Sequence, residues 1–145
     1  MKNVQLITDG ACLGNPGPGG WAAILRYGLQ KRELVGAEPQ TTNNRMELTA
    51  AVQGLAALRE PCEVEIVTDS SYLKNGITEW LPRWKRNGWR TAGKQAVKNQ
   101  DLWMQLDEQV QRHTTRWTWT KGHAGHADNN RADELATQAA REVPR

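Results

Sequence analysis

The stretch that decides the fold is VQLITDG at positions 4–10, followed at positions 14–20 by a turn rich in glycine and proline. An apolar run with large aliphatic residues that ends at such a turn predicts a strand entering a hairpin. One carboxylate, Asp9, lies at the end of this strand. A single aspartate here has a simple explanation, because its side chain accepts hydrogen bonds from its own backbone in turns.

The chain repeats this arrangement at positions 64–70, VEIVTDS, where a second apolar strand ends in Asp69. Residues two apart in a strand point to the same face, so Asp9 and Asp69 each share a face with the apolar residue two positions earlier. A carboxylate on an apolar face needs a partner, and a metal ion meets that need. We therefore expect two strands to deliver acids to one shared site.

Length and composition restrict the class of protein. A chain of 145 residues has the length of one domain, which we expect to span residues 1–145. Neither a membrane-spanning run nor a signal-peptide pattern is present, so the sequence predicts a cytoplasmic protein without membrane contact. Cys12 and Cys62 lack the spacing of a metal site or a disulfide framework, and we expect both to be reduced. Nothing resembles an obligate interface, so we expect a monomer without an obligate protein partner.

Hydrophobic periodicity predicts mixed strands and helices. Strands are expected at 3–12, 21–27, 31–35, 64–69 and 115–120, and helices at 45–59, 71–80, 99–112 and 127–141. Short turns separate the first three strands, which predicts an antiparallel meander. A helix lies between this meander and the strand at 64–69, and such a crossover permits parallel pairing with the first strand. That pairing would bring Asp9 and Asp69 side by side.

Two further acids lie on helical stripes of small residues. Glu47 shares its stripe with Ala51 and Gly54, whose size would let the backbone approach the sheet. The alternative for Glu47 is a surface position that favours the helix dipole. Asp133 shares a stripe with Ala136, and we expect it to face inward as Glu47 does.

Other polar residues have simpler structural interpretations. We expect residues 41–44, Ser70 and Asp128 to cap the starts of three helices. His113, near the end of helix 99–112, is interpreted as a favourable charge at the helix C-terminus.

Residues 80–98 contain six basic side chains and no acid. Trp80, Trp84 and Trp89 alternate with them, and the first two would share one face of a helix. Basic groups neutralise phosphates and aromatic rings stack on bases, so this stretch indicates a nucleic-acid surface. The alternative is a solvated basic loop whose tryptophans pack inward.

The sequence KGHAGH at positions 121–126 places His123 between glycines. Two histidines at this spacing suggest zinc, but a structural zinc site needs four ligands and no cysteine supports them. Histidine titrates near neutral pH, so His123 fits a mobile proton carrier better.

We expect four acids, from two strands and two helices, to face the interior of the protein: Asp9, Glu47, Asp69 and Asp133. Carboxylates gathered this closely cannot all be ionised unless cations neutralise them. Oxygen ligands without cysteine select Mg²⁺ or Mn²⁺ over zinc. Two such ions about 3.5 to 4 Å apart can activate a water and stabilise a leaving oxygen in phosphoryl displacement. The sequence therefore predicts a metal-dependent nuclease.

Five motifs, in this order, resemble those of type 1 ribonuclease H of the bacterial kind, over practically the whole chain. They are TDGAC at 8–12 with the NPGPGG turn, TNNRMEL at 42–48, TDS at 68–70, KGHAGH at 121–126 and ADELA at 132–136. The resemblance implies an α/β fold with a five-stranded mixed sheet flanked by helices. It implies cleavage of the RNA strand of RNA–DNA hybrids, leaving 5′-phosphate and 3′-hydroxyl ends. It also implies two Mg²⁺ ions at the four acids, with Mn²⁺ as a substitute, and a role for His123 in proton transfer or product release.

The same resemblance implies a substrate surface. Gly10, Asn15, Asn43 and Asn44 fall where the family contacts the hybrid's backbone and minor groove, where a 2′-hydroxyl distinguishes RNA from DNA. Thr42 matches a DNA-phosphate contact. Residues 80–98 match a basic protrusion that grips the DNA strand, and the expected contacts there are Trp80, Trp84, Lys85, Arg86, Trp89 and Arg90. Two positions depart from the pattern: Ser71 stands where relatives often carry Gln, and Asn130 where they carry an acid.

Two other functions stay open. One is a hybrid-binding module that has lost its chemistry, although acids at all four positions argue against it. The other is a related nuclease acting on DNA, such as a resolvase or integrase core. The glycines and asparagines that would face a 2′-hydroxyl favour the hybrid.

Overall fold

The computed structural model of the chain describes residues 1–91, 93, 95–120 and 127–144. The strands are β1 (Lys2–Cys12), β2 (Gly17–Tyr27), β3 (Gln30–Thr41), β4 (Cys62–Thr68) and β5 (Thr114–Trp119). The helices are α1 (Asn43–Ala56), α2 (Ser71–Asn75), α3 (Leu81–Arg86), α4 (Gln100–Arg112) and α5 (Ala127–Arg141), and a π-helical turn (Gly76–Trp80) joins α2 to α3. Within these described residues, every helix is too short or too polar to cross a membrane.

The five strands form one mixed sheet in the order β3-β2-β1-β4-β5. β2 pairs antiparallel with both β1 and β3, whereas β4 pairs parallel with both β1 and β5. The predicted five-stranded mixed sheet is therefore confirmed. In the β1–β4 pair, Ile7 lies opposite Val67. Asp9 and Asp69, two residues further along each chain, consequently emerge at the same end of the sheet.

Apolar side chains cover both faces of the sheet. On one face, side chains of β1 and β4 pack against α1 and α4, and this cluster includes Leu6, Ile66, Leu48, Leu55 and Trp103. On the other face, α5 packs through a cluster that includes Ile7, Ile24, Val67, Ala132 and Ala136. The central strands β1 and β4 are buried on both sides, as is typical of parallel pairs.

β2 and β3 are longer than the sequence predicts. The stretch at 14–20 is expected as a turn, yet β2 begins at Gly17, and Gly20 pairs with Ala11 of β1. A Cβ atom on Gly20 would lie 2.2 Å from the backbone oxygen of Ala136. Glycine at this position therefore allows α5 to pack closely on the sheet.

The predicted helix at 71–80 is the first part of a longer helical segment. α2 continues through the π-helical turn into α3, so helical backbone extends to Arg86. The Ser70 hydroxyl oxygen accepts a hydrogen bond from a backbone N–H three residues on (3.1 Å), which confirms the predicted cap. A Cβ on Gly76 would lie 1.9 Å from the ring of Trp103. Glycine here lets the tryptophan of α4 pack against this segment.

The interpretation of His113 as a favourable helix charge is wrong. The side chain is buried, and its Nδ1 accepts a hydrogen bond from the backbone N–H of Cys62 (3.0 Å). Its Nε2 lies 3.2 Å from the backbone oxygen of Leu55 and donates to it in that tautomer. Burial lowers the pKa of His113, and the positive charge of Arg112 lowers it further. His113 is thus a neutral packing residue that links α1 to β4.

Both cysteines, Cys12 and Cys62, are free thiols.

The predicted cap at Asp128 is also wrong. α5 begins at Ala127, so Asp128 lies in its first turn. The Asp128 carboxylate accepts two hydrogen bonds from the guanidinium of Arg26, and Lys31 lies 3.5 Å away. Hydrogen bonding to Arg26 is the largest cause of a lowered pKa at Asp128. The residue therefore ties the start of α5 to β2 and β3.

Candidate active site

Three carboxylates meet at one end of the sheet. Asp9 is near the end of β1, Asp69 directly follows β4, and Glu47 is in the first turns of α1. Each offers one oxygen atom, and these oxygens all lie within 4.8 Å of one another. The expected convergence of the two strand acids is confirmed, and Glu47 joins them.

The approach of Glu47 depends on a glycine in β1. A Cβ on Gly10 would lie 2.6 Å from the backbone nitrogen of Glu47, so a larger residue would force α1 away from β1. Further along α1, a Cβ on Gly54 would lie 2.5 Å from a methyl carbon of Leu6. The Thr42 hydroxyl caps the helix by accepting a hydrogen bond from a backbone N–H (3.3 Å). The small-residue stripe therefore brings α1 close to the sheet, and Glu47 is only 4% exposed, which excludes the surface alternative.

The three carboxylates would repel one another if all were ionised, and a bound cation would neutralise that repulsion. Burial raises the pKa of Glu47 well above its usual value, and the negative charges of Asp9 and Asp69 raise it further. Glu47 Oε2 is buried and lacks a hydrogen-bond partner among the described residues. Asp9 Oδ1 accepts a hydrogen bond from the backbone N–H of Gly10 (2.8 Å). A buried oxygen-only site with an unfilled acceptor fits a hard divalent cation such as Mg²⁺.

Asp133 is not one of the three converging acids. The buried stripe of α5 consists of Asn129, Ala132, Ala136 and Ala140. Asp133 lies beside this stripe and is exposed, so the prediction that it faces inward is wrong. Its helix nevertheless passes close to the site, because Ala132 and Ala136 pack in the same cluster as Ile7, two residues before Asp9.

His123 and the rest of the sequence at 121–126 lie outside the described residues. The described chain stops at Thr120, whose backbone N–H donates to the backbone oxygen of Thr68 (2.9 Å), and resumes at the start of α5. The proposed proton carrier stays a prediction.

The start of α1 brings several predicted substrate residues together. The side-chain oxygen of Asn15 accepts a hydrogen bond from the backbone N–H of Asn43 (3.0 Å), which joins the β1–β2 turn to the helix. Asn43 and Asn44 are exposed. Thr42 is half-buried and uses its hydroxyl oxygen in the helix cap. Asn43 and Asn44 thus form an exposed polar edge about one helical turn from Glu47.

A cavity of about 400 Å³ lies between this edge and the basic segment. Its lining includes Asn44, Trp80, Arg83, Trp84, Arg90 and Lys98. The structure therefore groups four of the predicted substrate residues around one concave surface. The sequence motifs do not distinguish Arg83 and Lys98 as contacts, although both belong to the acid-free run.

The tryptophans of the basic segment pack inward and also border the cavity. Trp80 and Trp84 are half-buried, with ring centroids 6.0 Å apart, and Trp84 packs against Trp103 of α4 at 5.5 Å. Tyr72 joins the group with its ring centroid 5.6 Å from that of Trp80. Tyr72 also lines the cavity, but its position in the sequence carries no signal of this. The inward packing of the alternative interpretation is therefore observed, and the contact of the tryptophans with nucleic acid stays a prediction.

The remaining predicted contacts differ in their surroundings. Lys85 pairs with Asp107 of α4 (3.1 Å), an acid that lies outside the basic run. Arg86 is exposed. Trp89 is half-buried, has a left-handed backbone (φ 64°), and donates its backbone N–H to Trp84 O (2.7 Å). The basic segment therefore folds back against α4 and closes one side of the cavity.

Comparison with known proteins identifies the class to which this mixed sheet and its three converging acids belong. The sequence model of the family described as RNase H matches residues 1–141. The chain therefore belongs to the ribonuclease H family, and it is an endoribonuclease by that membership. The resemblance identified from the sequence motifs is confirmed.

Individual relatives are similar over nearly the whole chain. The ribonuclease H of Solibacter usitatus (strain Ellin6076) is 73% identical over 142 residues, which cover 98% of this chain and 97% of that protein. The ribonuclease HI of Neisseria meningitidis serogroup A is 60% identical over 139 residues, covering 96% of each. The crystal structure of LC9-RNase H1, described as a type 1 RNase H with the type 2 active-site motif, matches with a TM-score of 0.86 at 36% identity. That match covers 96% of this chain and 72% of LC9-RNase H1.

Proposed function

We propose that the chain hydrolyses the RNA strand of RNA–DNA hybrids with two Mg²⁺ ions, leaving 5′-phosphate and 3′-hydroxyl ends. The observation that carries this proposal is the convergence of Asp9, Glu47 and Asp69 within 4.8 Å. Membership of the ribonuclease H family supports the substrate, and the oxygen-only ligand set supports the metal.

The carboxylates have distinct parts in this proposal. Asp9, Glu47 and Asp69 would hold the metal. Asp133, exposed in the first turns of α5, would complete the ligand set only if its side chain turned toward them. When bound, the ions supply activation of the attacking water and charge stabilisation at the leaving oxygen. Mn²⁺, which has the same preference for oxygen ligands, should substitute. His123 would assist proton transfer or product release.

The substrate surface extends from the start of α1 to the basic segment. Gly10, Asn15 and Asn43 would face the minor groove, where a 2′-hydroxyl identifies the RNA strand, and Thr42 would contact a DNA phosphate. Asn44 belongs both to this edge and to the basic cavity. The cavity would therefore receive the DNA strand, with its basic groups on the phosphates and its tryptophans against the sugars or bases. We also propose that one such domain acts as a monomer, without an obligate protein partner.

The direct test is cleavage of a labelled RNA–DNA hybrid beside single-stranded RNA, duplex RNA and duplex DNA, each with Mg²⁺ and with a chelator. We expect cutting of the RNA strand of the hybrid alone, abolished by the chelator and restored by Mn²⁺. Tight binding of the hybrid without cutting would make the protein a hybrid-binding module. Cutting of duplex DNA would make it a DNA-directed nuclease.

The basic segment at 80–98 leads to a prediction about salt dependence. The double substitution Arg86→Ala with Arg90→Ala should raise KM for the hybrid and leave kcat nearly unchanged, because these residues would contact phosphates away from the carboxylates. Each lost phosphate contact should reduce the slope of log affinity against log salt by about 1. The slope is measured from hybrid binding in a chelator at several salt concentrations.

A matched control removes two positive charges elsewhere. Arg32 and Arg59 lie outside the basic segment and line a cavity formed with the first residues of β1. Arg32→Ala with Arg59→Ala changes net charge by the same amount and should preserve the slope. Equal slopes for wild type and the Arg86/Arg90 variant would remove the basic segment from the binding surface.

A further inference from the structure

Trp119 contacts the backbone of a proposed metal ligand. β4 ends at Thr68, which pairs with Trp119 of β5, so Asp69 lies one residue beyond the ladder. The indole Nε1–H of Trp119 donates a hydrogen bond to the backbone oxygen of Asp69 (3.0 Å). A side chain thus continues the contact between the two strands past their last paired residues.

Asp69 is enclosed less than the other two acids. It is half-buried, whereas Asp9 and Glu47 are each only 4% exposed. On its C-terminal side, the backbone N–H of Ser70 donates to the hydroxyl of Thr68 (3.1 Å). Because packing encloses the Asp69 side chain least, hydrogen bonds to the backbone around it contribute more to its direction.

The indole ring is itself held in place from outside. Trp119 is 39% exposed, so packing restrains its ring only partly. The ammonium group of Lys74 on α2 lies 5.0 Å from the ring centroid, a distance at which a cation is attracted to an aromatic face. Lys74 and the Asp69 carbonyl therefore fix the ring from two directions.

We propose that Trp119 is a positioning residue for the metal-binding carboxylate of Asp69. By fixing the Asp69 carbonyl, the indole N–H would orient the backbone from which the carboxylate projects toward Asp9 and Glu47. Residues that orient metal ligands by hydrogen bonds typically contribute 10- to 100-fold in metal affinity or activity. The inference rests on the proposed function, because it requires Asp69 to bind the metal.

The test is Trp119→Phe, which keeps an aromatic ring and removes the N–H donor. Mn²⁺ binding to the free protein, measured by isothermal titration calorimetry, should weaken by about 10-fold. In cleavage assays, the Mg²⁺ concentration for half-maximal rate should rise in proportion. Saturating Mg²⁺ should restore kcat, and KM for the hybrid should be unchanged, because no substrate contact is removed.

Trp117→Phe is the matched control. Trp117 lies on the same face of β5, two residues earlier, and its Nε1 has no hydrogen-bond partner in the part of the chain that the structure describes. This substitution can lower thermal stability but should leave Mn²⁺ affinity within about twofold of wild type, the precision of the comparison. An equal loss of affinity in both variants would overturn the role of Trp119.

The outcomes separate the inference from the function on which it rests. Wild-type protein that binds Mn²⁺, together with a Trp119→Phe variant that binds it equally well, would overturn the positioning role alone. Wild-type protein without measurable Mn²⁺ binding at millimolar concentration would overturn both the metal site and the role of Trp119.

Discussion

Asp9→Asn should reduce cleavage of an RNA–DNA hybrid by at least about 10³-fold and leave the protein folded. Asparagine has the size of aspartate but lacks its charge, and Asp9 is buried in the cluster that would hold the metal. Metal ions stabilise transition-state charge by several kcal/mol, and each 1.36 kcal/mol corresponds to tenfold in rate. The measurement is single-turnover cleavage at saturating Mg²⁺.

Two further measurements on Asp9→Asn separate chemistry from folding and binding. Thermal unfolding in a chelator should show a melting temperature no lower than that of wild type, because the substitution removes like-charge repulsion. Hybrid affinity in the chelator should be preserved, since the proposed substrate surface is intact. A variant with near-native turnover would contradict the assignment of the metal site.

Glu47→Gln should have two opposite effects: a comparable loss of cleavage and a gain in stability of the metal-free protein. Burial and the neighbouring acids raise the pKa of Glu47, so the ionised form is unfavourable in the folded protein. Glutamine is neutral at every pH and should relieve this cost. The stability gain is measured by calorimetry in a chelator.

The sign of the pH dependence follows from the raised pKa. At a pH below the ordinary glutamate pKa of about 4.5, Glu47 is protonated in both the folded and the unfolded states. The contribution of the protonated side chain to the free energy of unfolding is then fully present. As the pH rises toward the higher pKa of the folded state, the unfolded state releases a proton that the folded state retains. The free energy of unfolding of wild type therefore falls through this window, and Glu47→Gln should show a smaller fall.

A matched control and a metal titration complete this experiment. Glu108→Gln changes an exposed glutamate on α4 and should leave both the activity and the pH dependence unchanged. Mg²⁺ should raise the melting temperature of wild type more than that of Glu47→Gln, because a ligand stabilises the folded state it binds. A Glu47→Gln variant that is less stable in chelator at pH 8 would contradict this account of the site.

The sheet and the three converging acids could be predicted because their signals are local and repeated. Apolar strands, short turns and one long crossover determine the pairing of β1 with β4. The two Thr-Asp strand ends, at Asp9 and Asp69, then meet as a consequence of parallel pairing. Glu47 could be placed because its helix has a distinctive stripe of small residues.

The errors arise where the sequence leaves the direction of a side chain ambiguous. α5 contains alanine at positions 127, 132, 136, 139 and 140, so more than one stripe of small residues can be drawn along it. One residue corresponds to a rotation of about 100° around a helix, which is the difference between the buried Ala132 and the exposed Asp133. Helical periodicity alone does not distinguish these faces.

Other features depend on contacts between distant parts of the chain. The basic segment contains no acid, yet Lys85 pairs with Asp107 from α4. Asp128 has the sequence context of a helix cap, but its carboxylate accepts hydrogen bonds from Arg26 of β2 instead. His113 becomes neutral because it is enclosed between α1 and β4. Each of these partners is at least 22 positions away, beyond the reach of local sequence patterns.

The contact between Gly10 and the backbone of Glu47 has a consequence for metal selectivity. The spacing of the acids is determined where two main chains touch, with no side chain between them that could be enlarged or reduced. Exchanging one acid for another changes the reach of a single ligand but not the separation of β1 and α1. Adapting the proposed metal site to an ion much larger than Mg²⁺ or Mn²⁺ would therefore require the helix to dock differently on the strand. We expect the backbone packing of β1 and α1 to limit the ionic radius that the site accepts.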